Sequence, residues 1–153
     1  MRTKNTDGEV MSSLLGFDDL ALPLSASVDD ADLSVYFLGQ SVNGGTMTVR
    51  VAGLKPDWEA STATWLRPKT GANWQVAGAK GANDRTAVVA SRLVDYREVG
   101  AWLEFDVTTL VQQGYRSFIL YGAHAGVNKA IYFPSNEYWD ASKRPILTIR
   151  YDQ

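Results

Sequence analysis

Hydrophobic and polar residues alternate along most of the chain, and a period of two is typical of β-strands that bury one face. The clearest alternating runs cover residues 32–38, 46–51, 102–107 and 146–151. Shorter candidates cover residues 13–17, 86–90, 117–121 and 130–133. Turn residues separate these segments, so the pattern predicts an all-β fold, an antiparallel β-sandwich of about eight short strands.

One short helix is predicted among these strands, at residues 106–114. The segment DVTTLVQQG begins with polar residues that can cap a helix, has an apolar pair at its centre and ends with glycine. Two turns of helix are not stable alone in water. We therefore expect this helix to pack against the sandwich.

Residues 57–85 contain few large apolar side chains and many Gly, Ala, Asn and Lys residues, which predicts one long loop over a sheet. Loops of this length are usually functional or firmly anchored. The 153 residues show neither a linker nor an internal repeat, so we expect one domain. In that domain, residues 1–12 are expected to form an N-terminal arm or an edge segment.

The charge balance excludes some classes of partner. The chain has 15 Lys and Arg residues against 17 Asp and Glu residues, which gives a formal net charge of −2. Nucleic acids and anionic membrane surfaces are bound by basic fields, so neither is an expected partner. No run approaches the roughly 18 apolar residues of a membrane-spanning helix. The absence of cysteine excludes disulfides and thiolate metal sites.

Residues with catalytic or metal-binding chemistry are sparse. His124 is the only histidine, and no nucleophile motif, zinc spacing or phosphate loop accompanies it. We expect no enzymatic activity and no cofactor. Asp29, Asp30 and Asp32 could offer several oxygens to calcium, but they lack the glycine and the spacing of a known calcium loop. Solvated turn acids are the favoured interpretation, and a calcium site is the alternative.

Aromatic and basic side chains in the predicted loops could bind a carbohydrate. Aromatic faces stack on the CH groups of pyranose rings, and lysine or arginine pairs with sugar carboxylates. The candidate residues are Trp58, Trp74, Lys80, Arg85, Arg92 and His124. The competing interpretation is a mixed, solvated surface. Trp58 and Trp65, in the segment DWEASTATWLRP, pose the same choice, because they could form a ligand platform or fasten the loop to a core.

Four segments occur in the order found in a known family. They are SLLGFDDLALPLSASVDDADLSVY, DWEASTATWLRP, WLEFDVTTLVQQ and YFPSNEYWDASKRPILTIRY. In this order they resemble the DNRLRE domains, which overlap with the alginate-binding type of carbohydrate-binding module. The resemblance covers most of residues 13–151 and implies a jelly-roll form of the sandwich.

The resemblance also implies which residues form a structural signature. These are Phe17, Asp18, Glu59, Trp65, Trp102, Phe105, Asp106, Glu137, Tyr138, Arg144 and Pro145. Trp65 is then expected in or beside the core. The hydroxyls of Thr62 and Thr64, together with Glu59, are expected to satisfy backbone groups of the loop. Trp58 could be structural or an exposed platform.

The chain departs from the family pattern at its start. The family's opening strand is missing or replaced by MRTKNTDGEV, and Gly16 stands where the family usually has arginine. The hexapeptide that names the family is absent. A missing strand would leave an exposed sheet edge, which natural proteins cover. A neighbouring subunit could cover that edge by adding a strand.

Two functional hypotheses follow. The first is a non-enzymatic structural or binding subunit of a bacteriophage virion, such as a capsid decoration protein or a tail-associated protein, which assembles with copies of itself or with other virion proteins. No signal peptide opens the sequence, as expected for a protein located in the virion. The alternative is a module of a secreted, extracellular enzyme that binds an anionic polysaccharide such as alginate.

Overall fold

The computed structural model describes residues 2–6, 9–41, 45–123 and 129–153. In this part of the chain the backbone forms ten strands, one α-helix (α1, Thr108–Gln112) and two 3-10 turns (Tyr96–Glu98 and Ala141–Lys143). The strands are β1 (Arg2–Thr6), β2 (Glu9–Gly16), β3 (Ser27–Tyr36), β4 (Gly39–Gln40), β5 (Thr46–Gly53), β6 (Ala90–Asp95), β7 (Trp102–Asp106), β8 (Ser117–Ala123), β9 (Lys129–Tyr132) and β10 (Ile146–Asp152).

The strands form two antiparallel sheets, as an all-β sandwich requires. The larger sheet has seven strands in the order β4-β9-β1-β2-β8-β5-β6, and the smaller has three in the order β10-β3-β7. The predicted fold class is therefore confirmed. None of the helices in the described part of the chain has the length and hydropathy that a membrane crossing needs.

The main core lies between the two sheets. Alternate residues of each strand point inward because the side-chain period of a strand is two. Fully buried residues from both sheets meet there: Leu33 and Val35 of β3, Leu103 and Phe105 of β7, Val49 and Val51 of β5, and Phe118 and Leu120 of β8. The removal of these apolar side chains from water is the main contribution to the stability of such a fold.

A second, smaller core lies on the outer face of the seven-stranded sheet. Ala52 of β5 and Ile119 and Tyr121 of β8 point away from the main core, because they alternate with buried residues of the same strands. The long loop covers them with Trp74 and Ala79. The prediction of a long loop over one sheet is thus correct, and this loop is packed rather than free.

The predicted helix is present and is tied to the smaller sheet. The carboxylate of Asp106 accepts a hydrogen bond from the backbone N–H of Thr108 at 2.9 Å, at the start of α1. The hydroxyl of Thr108 accepts one from the backbone N–H of Ala31 at 2.9 Å. Gly114 follows the helix with a φ of +90°, where a residue with a side chain would be strained.

The first strand is the largest departure from the expected architecture. β1 lies inside the seven-stranded sheet, where Arg2 is opposite Tyr132 of β9 and Lys4 is opposite Met11 of β2. The expectation of an N-terminal arm or edge segment is therefore wrong. The opening strand was expected to be missing or replaced by MRTKNTDGEV. This segment supplies β1 and the start of β2, so a strand is present there, and no gap is left between β9 and β2 for a neighbouring subunit to fill.

Candidate functional site

The long loop is anchored from within by a buried carboxylate. Asp84 accepts hydrogen bonds from the backbone N–H groups of Gln75, Val76 and Gly81 at 2.7, 2.9 and 2.9 Å. A Cβ atom on Gly81 would lie 2.7 Å from an oxygen of Asp84, so this position has no room for a side chain. Nothing in the sequence pattern marks Asp84, because an acid among Gly, Ala and Asn residues is ordinary in a loop.

Trp74 fastens the loop to the sheet. Its side chain is 6% exposed and belongs to the second core. Its indole N–H donates to the carbonyl of Thr64 at 2.9 Å, which joins the two halves of the loop. Trp74 was predicted as a sugar-binding residue, but this burial leaves little of its ring surface for a sugar to stack on.

Trp65 is the exposed tryptophan of this loop, whereas Trp58 is half-buried and Trp74 is buried. It was expected in or beside the core; it is 41% exposed and lies beside the second core, where it lines a pocket with Trp74 and Ile119. Its ring lies across Gly78, where an added Cβ would be 2.5 Å from Cη2. The ammonium of Lys80 stands over the ring at 4.9 Å from its centroid, within the range of a cation–π contact.

Trp58 is half-buried and fixed in orientation. Its indole N–H donates to the hydroxyl of Ser117 on β8 at 3.1 Å. Its ring packs beside Gly16 of β2, where an added Cβ would be 3.2 Å from Cζ2. One side chain is therefore held against two neighbouring strands, with its remaining surface open to solvent.

Three pockets share Trp58 as a common wall, and together they form what we call the cleft. The tryptophan pocket has a volume of about 380 Å³ and lies among Trp58, Trp65 and Trp74, over Leu14 and Ile119. The acidic pocket has about 390 Å³ and is lined by Gly16, Asp18, Trp58 and Glu137. The mixed pocket has about 490 Å³ and is lined by Lys55, Asp57, Trp58, Tyr115 and Arg116. Each volume lies within the range of small-ligand sites.

The predicted basic residues are not gathered in this cleft. Lys80 contacts Trp65, and the guanidinium of Arg85 lies 4.1 Å from the centroid of the Tyr121 ring. Arg92 lies on the same face of β6 as the buried Val94, and its guanidinium forms an ion pair with the carboxylate of Glu98. His124 lies outside the described residues.

The signature residues divide into two groups. Most have structural contacts. Phe17 packs edge-on against Phe118, Phe105 is in the main core, and Trp102 packs on Tyr36. Asp106 caps the start of α1, Arg144 donates to the carbonyl of Tyr138, and Pro145 is buried. Within the loop, the carboxylate of Glu59 accepts from the Thr62 hydroxyl, and the Thr64 hydroxyl accepts from the N–H of Leu66. Asp18 and Glu137 are different, because both are exposed and line the acidic pocket.

The acids considered for calcium are paired with a cation instead. Asp30 and Asp32 of β3 point to the outer face of the smaller sheet, where Arg150 of β10 lies 2.6 Å from Asp30 and 3.9 Å from Asp32. Asp29 directly precedes Asp30 and falls at an irregularity of the strand pairing, because Arg150 is opposite Asp30 and Tyr151 is opposite Val28. Within residues 2–6, 9–41, 45–123 and 129–153, no group of three or more His, Cys, Asp or Glu side chains is placed to hold a metal ion.

Replacing Asp32 with asparagine is expected to stabilise the protein slightly at neutral pH. Partial burial and the nearby carboxylates of Asp30, Glu104 and Asp106 raise the pKa of Asp32 above its usual 3.8. Folding then disfavours the ionised form, a cost that is present above the raised pKa and absent below 3.8. We expect a gain of about 0.5 kcal/mol at pH 7 because the group is near the surface.

Thermal unfolding at several pH values and salt concentrations measures this gain. The gain should vanish at pH 3 and shrink in high salt. Asp19→Asn, at an exposed turn position, is the matched control and should change nothing. A loss of stability in Asp32→Asn at neutral pH would show that the contact with Arg150 outweighs the repulsion.

Comparison with known proteins gives no further guide to this cleft. No protein-family model, curated protein or solved structure matches the chain.

Proposed function

We propose that the chain is a non-enzymatic glycan-binding module and that a polysaccharide binds in the cleft. The observation that carries this proposal is the position of Trp58, whose fixed ring is a wall of all three pockets. Sugar rings present flat CH faces that stack on indole, and a chain of sugars needs a row of adjoining subsites. Trp65 supplies a second exposed indole at one end of the row.

The described lining favours binding over catalysis. Ser117 is a hydroxyl residue that lines the mixed pocket, and its oxygen accepts the indole N–H of Trp58. In the described part of the chain, the Ser117 hydroxyl is not hydrogen-bonded to a histidine or a carboxylate, the arrangement that would activate it as a nucleophile. Preformed aromatic walls without an activated nucleophile are what a binding site needs.

Trp58→Ala is expected to abolish glycan binding while the protein stays folded. Native electrophoresis through gels that contain a neutral glucan, alginate, pectin or no polymer should show retardation of the unmodified protein by at least one polymer. Truncating an anchoring tryptophan usually weakens binding by about tenfold to a hundredfold, which removes visible retardation. Circular dichroism and a thermal melt check the fold of the variant.

Trp139→Ala is the control for this experiment. Trp139 is 80% exposed and outside the cleft lining, where it packs on Tyr138. Its loss should leave retardation intact. Equal mobility of the unmodified protein in all gels, or an equal loss in both variants, would contradict glycan binding in the cleft.

Assembly with other subunits, as in a virion, is a second candidate function. The observation that favours it is an apolar surface on β6, the strand at one end of the larger sheet. Exposed apolar side chains lie in this strand and beside it: Val88, Val89, Leu93, Tyr96 and Val99. Unprotected strand edges pair readily with other chains.

Leu93→Lys is expected to dissociate such an assembly. Leu93 is 61% exposed on β6, and a lysine there would place a charge in any contact made by this strand. Light scattering after size exclusion should change from a multiple of 16.8 kDa to the mass of one chain. Leu66→Lys, on the exposed part of the loop, is the control. A single-chain mass for the unmodified protein would remove this candidate.

A further inference from the structure

The floor of the acidic pocket is a glycine. A Cβ atom placed on Gly16 would lie 3.2 Å from Cζ2 of Trp58 and 3.5 Å from an oxygen of Asp18. The edge of the indole and the carboxylate therefore face the same gap, which a larger residue would fill. The side-chain amide of Asn136 donates to the carbonyl of Gly16 at 2.9 Å and so holds the neighbouring Glu137 beside the strand.

Two carboxylates in this pocket are left for a ligand. In the described part of the chain, the side chains of Asp18 and Glu137 have neither an ion-pair partner nor a hydrogen-bond donor, and both are exposed. Ionised carboxylates only accept hydrogen bonds, and their natural complements are donors such as sugar hydroxyls. A carboxylate on the ligand would instead meet two like charges.

In the described part of the chain, the basic groups of the cleft form no ion pair with these two carboxylates and point their donors at backbone carbonyls instead. The ammonium of Lys55 donates to the carbonyl of Ala82 at 2.8 Å. The guanidinium of Arg116 donates to two backbone carbonyls, at 3.1 and 2.8 Å. At the far end of the cleft, Lys80 stands over Trp65 and disfavours a ligand that is positively charged along its length.

We propose that the acidic pocket sets the specificity of the cleft and accepts a neutral, hydroxyl-rich sugar unit. The unit stacks on Trp58 and donates hydroxyl hydrogen bonds to Asp18 and Glu137. A uronate unit is rejected from this pocket by the same two carboxylates. The inference rests on the proposed glycan binding and replaces the expected anionic polysaccharide with a neutral one.

The test is a calorimetric titration at low salt with two classes of oligosaccharide. The neutral class contains glucan, mannan and xylan fragments, and the uronate class contains alginate and polygalacturonate fragments. The double variant Asp18→Asn/Glu137→Gln keeps the shapes of both side chains and removes their charges. Asp19→Asn/Glu104→Gln is the control, because it changes the net charge equally at exposed positions outside the cleft.

We expect the unmodified protein to bind a neutral fragment more tightly than any uronate fragment. Its affinity for the neutral fragment should fall about tenfold in Asp18→Asn/Glu137→Gln, while its uronate affinity rises and the control changes neither. Uronate binding that equals neutral binding and ignores the double variant would overturn this inference and leave glycan binding standing. Failure of both classes to bind would overturn both proposals.

Discussion

Asp84→Ala is expected to lower the free energy of unfolding by about 3 kcal/mol. The substitution removes the acceptor of three backbone N–H groups, and a hydrogen bond to a charged group contributes about 1.5–3 kcal/mol. Water that enters the space left by the side chain can accept hydrogen bonds from these N–H groups, so the loss of stability is smaller than the sum of three such bonds. The loop should also loosen, so Trp74 loses its packing on the second core.

Urea unfolding followed by tryptophan fluorescence measures this loss, and hydrogen exchange locates it. The backbone amides of Gln75, Val76 and Gly81 should lose their protection. Asp57→Ala is the matched control, since it removes the same chemical group from the same loop at a side chain that is 95% exposed. An equal and small effect of both substitutions would show that the buried carboxylate does not anchor the loop.

Gly78→Ala is expected to displace Trp65 and close the tryptophan pocket. The new Cβ would lie 2.5–2.8 Å from three carbons of the indole, so the ring must move. Gly78 also has a φ of +80°, where a side chain costs about 1–2 kcal/mol. The following residue, Ala79, is already in the left-handed region with a φ of 55°, which leaves the turn little freedom to adjust.

Gly71→Ala separates these two effects. Gly71 has a φ of +82°, but an added Cβ there meets no atom within 4 Å. Gly71→Ala should lose only the stability that the left-handed backbone costs, while Gly78→Ala should lose more, shift the fluorescence of Trp65 and weaken glycan retention by about tenfold. Similar retention by the two proteins would mean that the ligand does not use the tryptophan pocket.

Most strands could be predicted from the sequence because their inward residues alternate with polar ones. The predicted strand at residues 86–90 is misplaced, since the observed β6 begins at Ala90 and carries its apolar residues on both faces. β1 escaped prediction because RTKNT has no apolar residue at all. Its place in the sheet follows from pairing with β2, the next strand, and with β9 near the other end of the chain, and no local pattern encodes the second pairing.

The cleft could be predicted only in part. The sequence pointed to Trp58 and the loop around it, but it could not show which of Trp65 and Trp74 would be buried. That choice depends on which indole meets Ala52 and Ile119 once Asp84 has folded the loop. Asp18 and Glu137 come from opposite ends of the chain, and only the folded sheet brings both to Trp58.

The position of β1 has a consequence for how this protein is made. β1 pairs with β9 and β3 pairs with β10, so these early strands can form all their pairings only after the late strands have been synthesised. During synthesis, neither sheet can be completed until nearly the whole chain has left the ribosome. Pairings of such long sequence separation also slow folding, because loop closure must precede the contacts that stabilise it. Until then the early strands expose unpaired edges, and a chaperone that shields them would raise the yield of folded protein.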